Sequence, residues 1–326
     1  MFQRTLPRLA ETTPDYVGAT GSHYHFRSMI QKRPCMGRIW LAKSGQDKYI
    51  LKDIPRDIYD NFTEEIQPRL CKTNHIRLPC DSIPGQRVFV YKYLTDDFLS
   101  LVKRGISTQS RKQILKASLR GIAELHKQHV VHLDIKPDNI MVDCREREEE
   151  TVVEKVLLTD LDNAAYLPQG RCIKGMLAGN DNWRSPEAHF RGELNKPTDM
   201  FAFGIVCLYA VLERVIFGIH DDFRFHESQG ALPTMIRLQR QVSYFADKEG
   251  INGLLKHIGD NEVNCQVLQM LWDERSEEYI PYKPFSQWED HMEPGFRDFI
   301  AQLMNLGPAK RLTAREVLEH PWFSDV

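Results

Sequence analysis

The chain has no long apolar run, no paired-cysteine spacing, no internal repeat and no surplus of either charge. Its most apolar stretch, Met200 to Leu212, is interrupted by Glu213 and Arg214. That is well short of the roughly 18 residues a bilayer span requires, so the stretch is expected to be a buried core helix. The seven cysteines are odd in number and never in a C-x-x-C spacing. This argues against a disulfide framework and a zinc knuckle, and it fits a reducing intracellular compartment, cytoplasmic or nuclear. With Lys+Arg 43 against Asp+Glu 45, the formal net charge of -2 points to no nucleic-acid or membrane partner. Met1 to Val17 carries Arg4, Arg8, Glu11 and Asp15 without an apolar centre, so it reads as neither signal peptide nor anchor. The one strongly biased run is DCREREEE, Asp143 to Glu150.

What is present is ample core material. The 326 residues are 42% hydrophobic and 27% charged, enough for one large domain or two lobes. From about Arg38 to Tyr93 the sequence alternates short β-type runs, RIWLA, KYILKDI and RVFVYKYL, with turn material such as Ser44 to Asp47 and Ile83 to Gln86. One helical segment, Ile58 to Leu70, interrupts these strands, and Pro68 strains or ends its last turn. After Thr108 helical patterns dominate, beginning with Ile114, Leu115, Leu119, Ile122 and Leu125 at helical spacing. The expected fold is α+β: a small β-rich N-lobe with its hinge over 1–93, and a larger α-helical C-lobe over 94–326, together a single domain.

The most informative segment is His132-Leu133-Asp134-Ile135-Lys136-Pro137-Asp138-Asn139, followed by Asp160 in the strand-like VLLTDLD. It resembles the protein kinase catalytic loop H-R-D-x-K-x-x-N with its metal-binding D-F-G. Lys52 in YILK looks like the strand lysine that holds nucleotide phosphates, and Glu64 or its neighbour Glu65 like that lysine's helical partner. Ser185-Pro186-Glu187 resembles A-P-E, with Arg311 in PAKRLTAREVLEHPWF as the partner of Glu187, and Asp199 matches the buried aspartate that ties down the catalytic loop. The resemblance runs from about Gly37 to Phe323 and implies an ATP- and Mg²⁺-dependent Ser/Thr kinase acting on a protein substrate. Asp134 would be the base, Lys136 the charge stabiliser, and Asn139 and Asp160 the metal ligands. Backbone groups of Lys92 and Leu94 would read adenine and Asp97 would meet the ribose.

Several positions depart from the family pattern. Counting back from Gly37, two Gly-rich-loop positions fall on Lys32 and Pro34, and Pro34 has no N–H to offer a phosphate. Asp162 stands where D-F-G has glycine. Leu133 replaces the arginine that grips a phosphorylated activation loop, and Leu161 to Arg184 holds no Ser or Thr and only Tyr166, so activity is expected not to depend on such phosphorylation. Asn180 takes the place of a threonine that bonds the catalytic Asp and Lys, and Asp143 to Glu150 reads as a solvated hairpin tip. The alternative to an active enzyme is a pseudokinase, a scaffold with little or no phosphoryl transfer. A small-molecule kinase is disfavoured by the S-P-E and terminal-arginine features.

Overall fold

The computed structural model describes residues 15–33, 37–147, 150–259, 261–290 and 292–326. Pro34, in the expected Gly-rich loop, and positions 148 and 149 of the acidic run lie outside the described residues. The chain separates into two compact units, one of residues 1–60 with 78–94, the other of 61–77 with 95–326. The N-terminal region is sheet and the C-terminal region helical.

The smaller unit is one antiparallel sheet. Its strands are β1 (Asp15–Val17), β2 (His23–Arg33), β3 (Gly37–Ser44), β4 (Asp47–Asp53), β5 (Asp81–Ile83) and β6 (Val88–Lys92), in the order β1-β2-β3-β4-β6-β5. Period-two alternation puts Trp40 and Ala42 of β3 on the face that packs with Leu51, Val88 and Val90. Lys52 is the last residue but one of β4, opposite Ile39 on one side and Phe89 on the other. Gly37 opens β3 at φ +88, where an added Cβ would lie 2.6 Å from that of Asp53, so glycine is required there.

A helical run follows β4: α1 (Arg56–Asn61), a π turn at Phe62–Ile66 and a 3₁₀ turn at Gln67–Arg69. This is the helix expected at Ile58 to Leu70, and Pro68 lies in its tightened final turn. Residues 61–77 belong to the larger unit because their contacts are there. Asn61 donates to the Ala164 carbonyl at 3.1 Å, the Arg69 guanidinium lies 3.6 Å from the centre of the Tyr166 ring, and the Arg77 N–H bonds the Leu158 carbonyl at 2.8 Å.

In the larger unit come β7 (Asp96–Asp97), α2 (Phe98–Lys103), α3 (Thr108–Lys127), β8 (Val130–Val131), β9 (Ile140–Arg147), β10 (Glu150–Leu158), β11 (Ala165–Tyr166), α4 (Pro186–His189) and α5 (Lys196–Leu212). All five apolar residues singled out in α3 are buried. In α5 every residue from Thr198 to Ala210 is buried, so the most apolar stretch is a core helix. Outer helices follow: α6 (Asp221–Ser228), α7 (Pro233–Phe245), α8 (Lys248–Ile258), α9 (Glu262–Glu274), α10 (Pro294–Leu303) and α11 (Ala314–Leu318). Among the described residues no helix is long and apolar enough to cross a membrane.

Candidate active site

The loop after β8 is shaped by one buried carboxylate. Asp199, in the first turn of α5, accepts from the His132 N–H at 2.8 Å on one oxygen and from the Leu133 N–H at 2.8 Å on the other. His126 near the end of α3 adds a third bond to the same group at 3.0 Å. These bonds hold Leu133 at φ +63, a conformation that costs a branched residue roughly 1–2 kcal/mol and persists only where the surroundings impose it. The backbone thus turns sharply and directs Asp134 inward, 7% exposed.

Asp134 is fixed on both oxygens. Its Oδ1 accepts from the main-chain N–H of Asn180 at 3.1 Å, and its Oδ2 from the Asn139 amide at 3.1 Å, with the Lys136 ammonium 3.2 Å away. Lys136 also faces Asp138 at 3.6 Å. Burial alone would draw the lysine pKa down, but the carboxylates of Asp134 and Asp138, with Asp160 beyond them, outweigh it. The net shift is upward, so this ammonium stays charged.

Asn139 and Asp160 are 21 positions apart in sequence, and the β9–β10 hairpin closes that gap. Leu158 lies opposite Ile140, and one step further the Thr159 N–H bonds the Asn139 carbonyl at 2.9 Å. Asp160 follows at φ +63. The Asn139 amide gives its N–H groups to the Asp134 carbonyl at 2.8 Å and to the carboxylate, and no donor among the described residues engages its Oδ1. Amide and carboxylate oxygens are hard donors of the kind that suit Mg²⁺ carried on phosphates. Among the described residues no cluster of three or more His, Cys, Asp or Glu forms an all-protein metal cage.

The family model of the protein kinase domain matches residues 80–323. The chain belongs to that family. It is similar to Dual specificity protein kinase CLK1 of Mus musculus, 26% identical over 228 residues covering 63% of this chain and 42% of the relative. It is also similar to DNA damage response protein kinase DUN1 of Saccharomyces cerevisiae, 24% identical over 262 residues, 74% of this chain and 42% of the relative. The chain therefore spans less than half the length of these relatives.

In this kinase domain the remaining sequence-selected residues fall as follows. Lys52 belongs to the smaller unit and Glu64 to the larger. Glu65, the rival of Glu64, pairs with Arg69 at 3.2 Å. Lys92 ends β6, and Leu94 is buried just beyond it. Asp97 caps α2, with its two oxygens accepting from the Ser100 N–H and hydroxyl at 2.8 Å each. Glu187 and Arg311 form a bidentate pair, both bonds 2.8 Å, with side chains 1% and 0% exposed. Burial opposes the charged form of Glu187, but the arginine prevails and holds its pKa below the usual carboxylate value.

Two positions differ from what the sequence suggested or lie beyond it. Asn180 replaces the family threonine through its main chain, since its side-chain oxygen accepts instead from the Asn182 N–H at 3.1 Å. Arg184, absent from the sequence reading, is a latch: it donates to the carbonyls of Ala178 at 2.8 Å and Gly179 at 2.6 Å, fixing the turn that presents the Asn180 N–H to Asp134. Its place two residues before Pro186 in W-R-S-P was the available signal. His126 was equally legible only as a histidine on an apolar helix face, where a satisfied core residue is the ordinary reading. Leu133, which lacks the family arginine's charge, packs with Val131, Leu167, Ala178, Ala188 and Leu194.

Proposed function

We propose that this kinase domain transfers the γ-phosphoryl group of ATP to Ser or Thr hydroxyls of a protein substrate. The observation that carries the reading is the fixed carboxylate of Asp134, bonded by Asn180 and Asn139 and faced by the charged Lys136, with Asp160 one residue past the main-chain bond from Thr159 to Asn139. Asp134 accepts the hydroxyl proton and orients its oxygen in line with the transferring group. Lys136 offsets negative charge as it develops there. Asn139 and Asp160 would hold Mg²⁺, which neutralises phosphate charge when bound with the nucleotide. Lys52 with Glu64 would hold the phosphates, while Lys92, Leu94 and Asp97 would meet the nucleoside. Ser/Thr rather than Tyr specificity rests on Lys136 two residues after the base.

We also infer that activity does not require activation-loop phosphorylation. Leu133 anchors the activation segment by apolar packing, and main-chain bonds tie the segment elsewhere: Leu167 to His129 at 2.7 Å and Ile173 to Leu194 at 3.2 Å. A second reading, a pseudokinase, is favoured by Lys32 at a Gly-rich-loop position and by Asp162 after the metal aspartate. The test is phosphoryl transfer from ATP with Mg²⁺ to a generic basic protein, before and after phosphatase treatment, in wild type, Asp134→Asn and Asp160→Asn. Activity in the wild type alone, unchanged by phosphatase, supports the proposal. No transfer and no ATP-dependent rise in melting temperature would favour the pseudokinase.

A further inference from the structure

A cavity of about 950 Å³ in the larger unit lies away from Asp134, bounded by α3, the start of α5 and the segment 311–318. One wall is a single face of α3, on which Arg120, Ala123, Glu124 and Lys127 recur at helical spacing over two turns, about 10 Å. Pro197, Met200, Leu312 and Leu318 supply an apolar floor, and Lys196 and Arg315 complete a basic rim.

The charge is one-sided. Among the described residues Glu124 is the only carboxylate lining the cavity, and it is already bonded to His75: Oε1 to Nδ1 at 2.7 Å and Oε2 to the His75 N–H at 3.2 Å. None of Arg120, Lys127, Lys196 or Arg315 has a carboxylate partner among the described residues. Lys196 is partly buried without a counter-charge, and burial pulls its pKa down, so an arriving anion would relieve it.

We propose that this groove docks a short acidic, amphipathic peptide segment of a protein partner. Its Asp or Glu side chains meet Arg120, Lys127, Lys196 and Arg315, and one or two Leu-like side chains rest on the apolar floor. A lone phosphate is a poorer fit, because Arg120 and Lys127 stand two helical turns apart and do not converge on one point. Nucleic acid is a poorer fit too, since among the described residues no Trp, Tyr or Phe lines the cavity to stack a base. The arrangement matches the recognition of acidic motifs by clustered basic residues and of amphipathic segments by apolar grooves.

The experiment is fluorescence anisotropy with a labelled two-turn peptide of Glu and Leu, and the same peptide with Lys for Glu as control. The variant is Arg120→Glu, Lys127→Glu, Arg315→Glu; all three side chains are exposed, and a melting curve checks the fold. The proposal expects binding that weakens with added salt, falls about tenfold or more in the variant, and is absent for the Lys peptide. Undetectable binding, equal binding of the Lys peptide, or an unaffected variant would overturn it. Full displacement by millimolar inorganic phosphate would also overturn it, assigning the groove to small anions. The readout is binding alone, so the outcome stands apart from whether the domain transfers phosphate.

Discussion

Replacing Asp199 with asparagine changes one atom, and the structure makes that atom decisive. Both carboxylate oxygens accept from main-chain N–H groups, His132 on one and Leu133 on the other, and His126 shares the first. An amide offers a single oxygen, so its NH₂ must face an N–H donor at 2.8 Å whichever way it turns. The change removes a charge-assisted bond worth roughly 1.5–3 kcal/mol and leaves a buried N–H unsatisfied, at roughly 1–3 kcal/mol more. Leu133, no longer held, can leave φ +63 and carry Asp134 with it. Asp199→Asn should therefore cost about 3–5 kcal/mol and lower Tm by roughly 10 °C. At a temperature where the variant is folded, kcat should fall of order a hundredfold through misplacement of Asp134. Thermal unfolding and steady-state transfer read the two effects. A Tm within about 2 °C of wild type, with unchanged turnover, would refute the account of Asp199 as the residue that positions the loop.

Two further perturbations probe the scaffold. Because Glu187 and Arg311 are fully buried and joined by two bonds, Glu187→Leu or Arg311→Met alone should cost about 3–5 kcal/mol, whereas the two changes together should cost far less than the sum. Additive singles in chemical denaturation would show that the pair is not coupled. His189 is 6% exposed and neither ring nitrogen has a partner among the described residues. Burial, then the nearby Arg184 charge, lowers its pKa to about 3 from 6.5, with Asp181 and Glu187 opposing and Arg237 adding to the effect. The unfolded chain then binds the extra proton between those two values, so stability is full above 6.5 and declines as pH falls toward 3. From pH 7 to pH 5 the wild type should lose about 2 kcal/mol more than His189→Leu. Equal losses in the two proteins would remove His189 from the acid response.

The family, the order of its motifs and the buried helix at Met200 to Leu212 were all written in the sequence, because they depend on residue type and spacing along one chain. So was the absence of Ser and Thr between Leu161 and Arg184, which is a matter of composition. What the tertiary structure decided is who holds Asp134. The main-chain N–H of Asn180 does so, not its side chain, because the Arg184 guanidinium fixes the carbonyls just before it. A main-chain donor leaves no trace in residue identity. The neighbourhood of Asn139 and Asp160 depends on the register of β9 against β10, and the role of His126 on where α3 ends relative to α5. The basic groove was invisible for the same reason: Arg120 and Arg315 are nearly two hundred positions apart, and only packing puts them on one cavity.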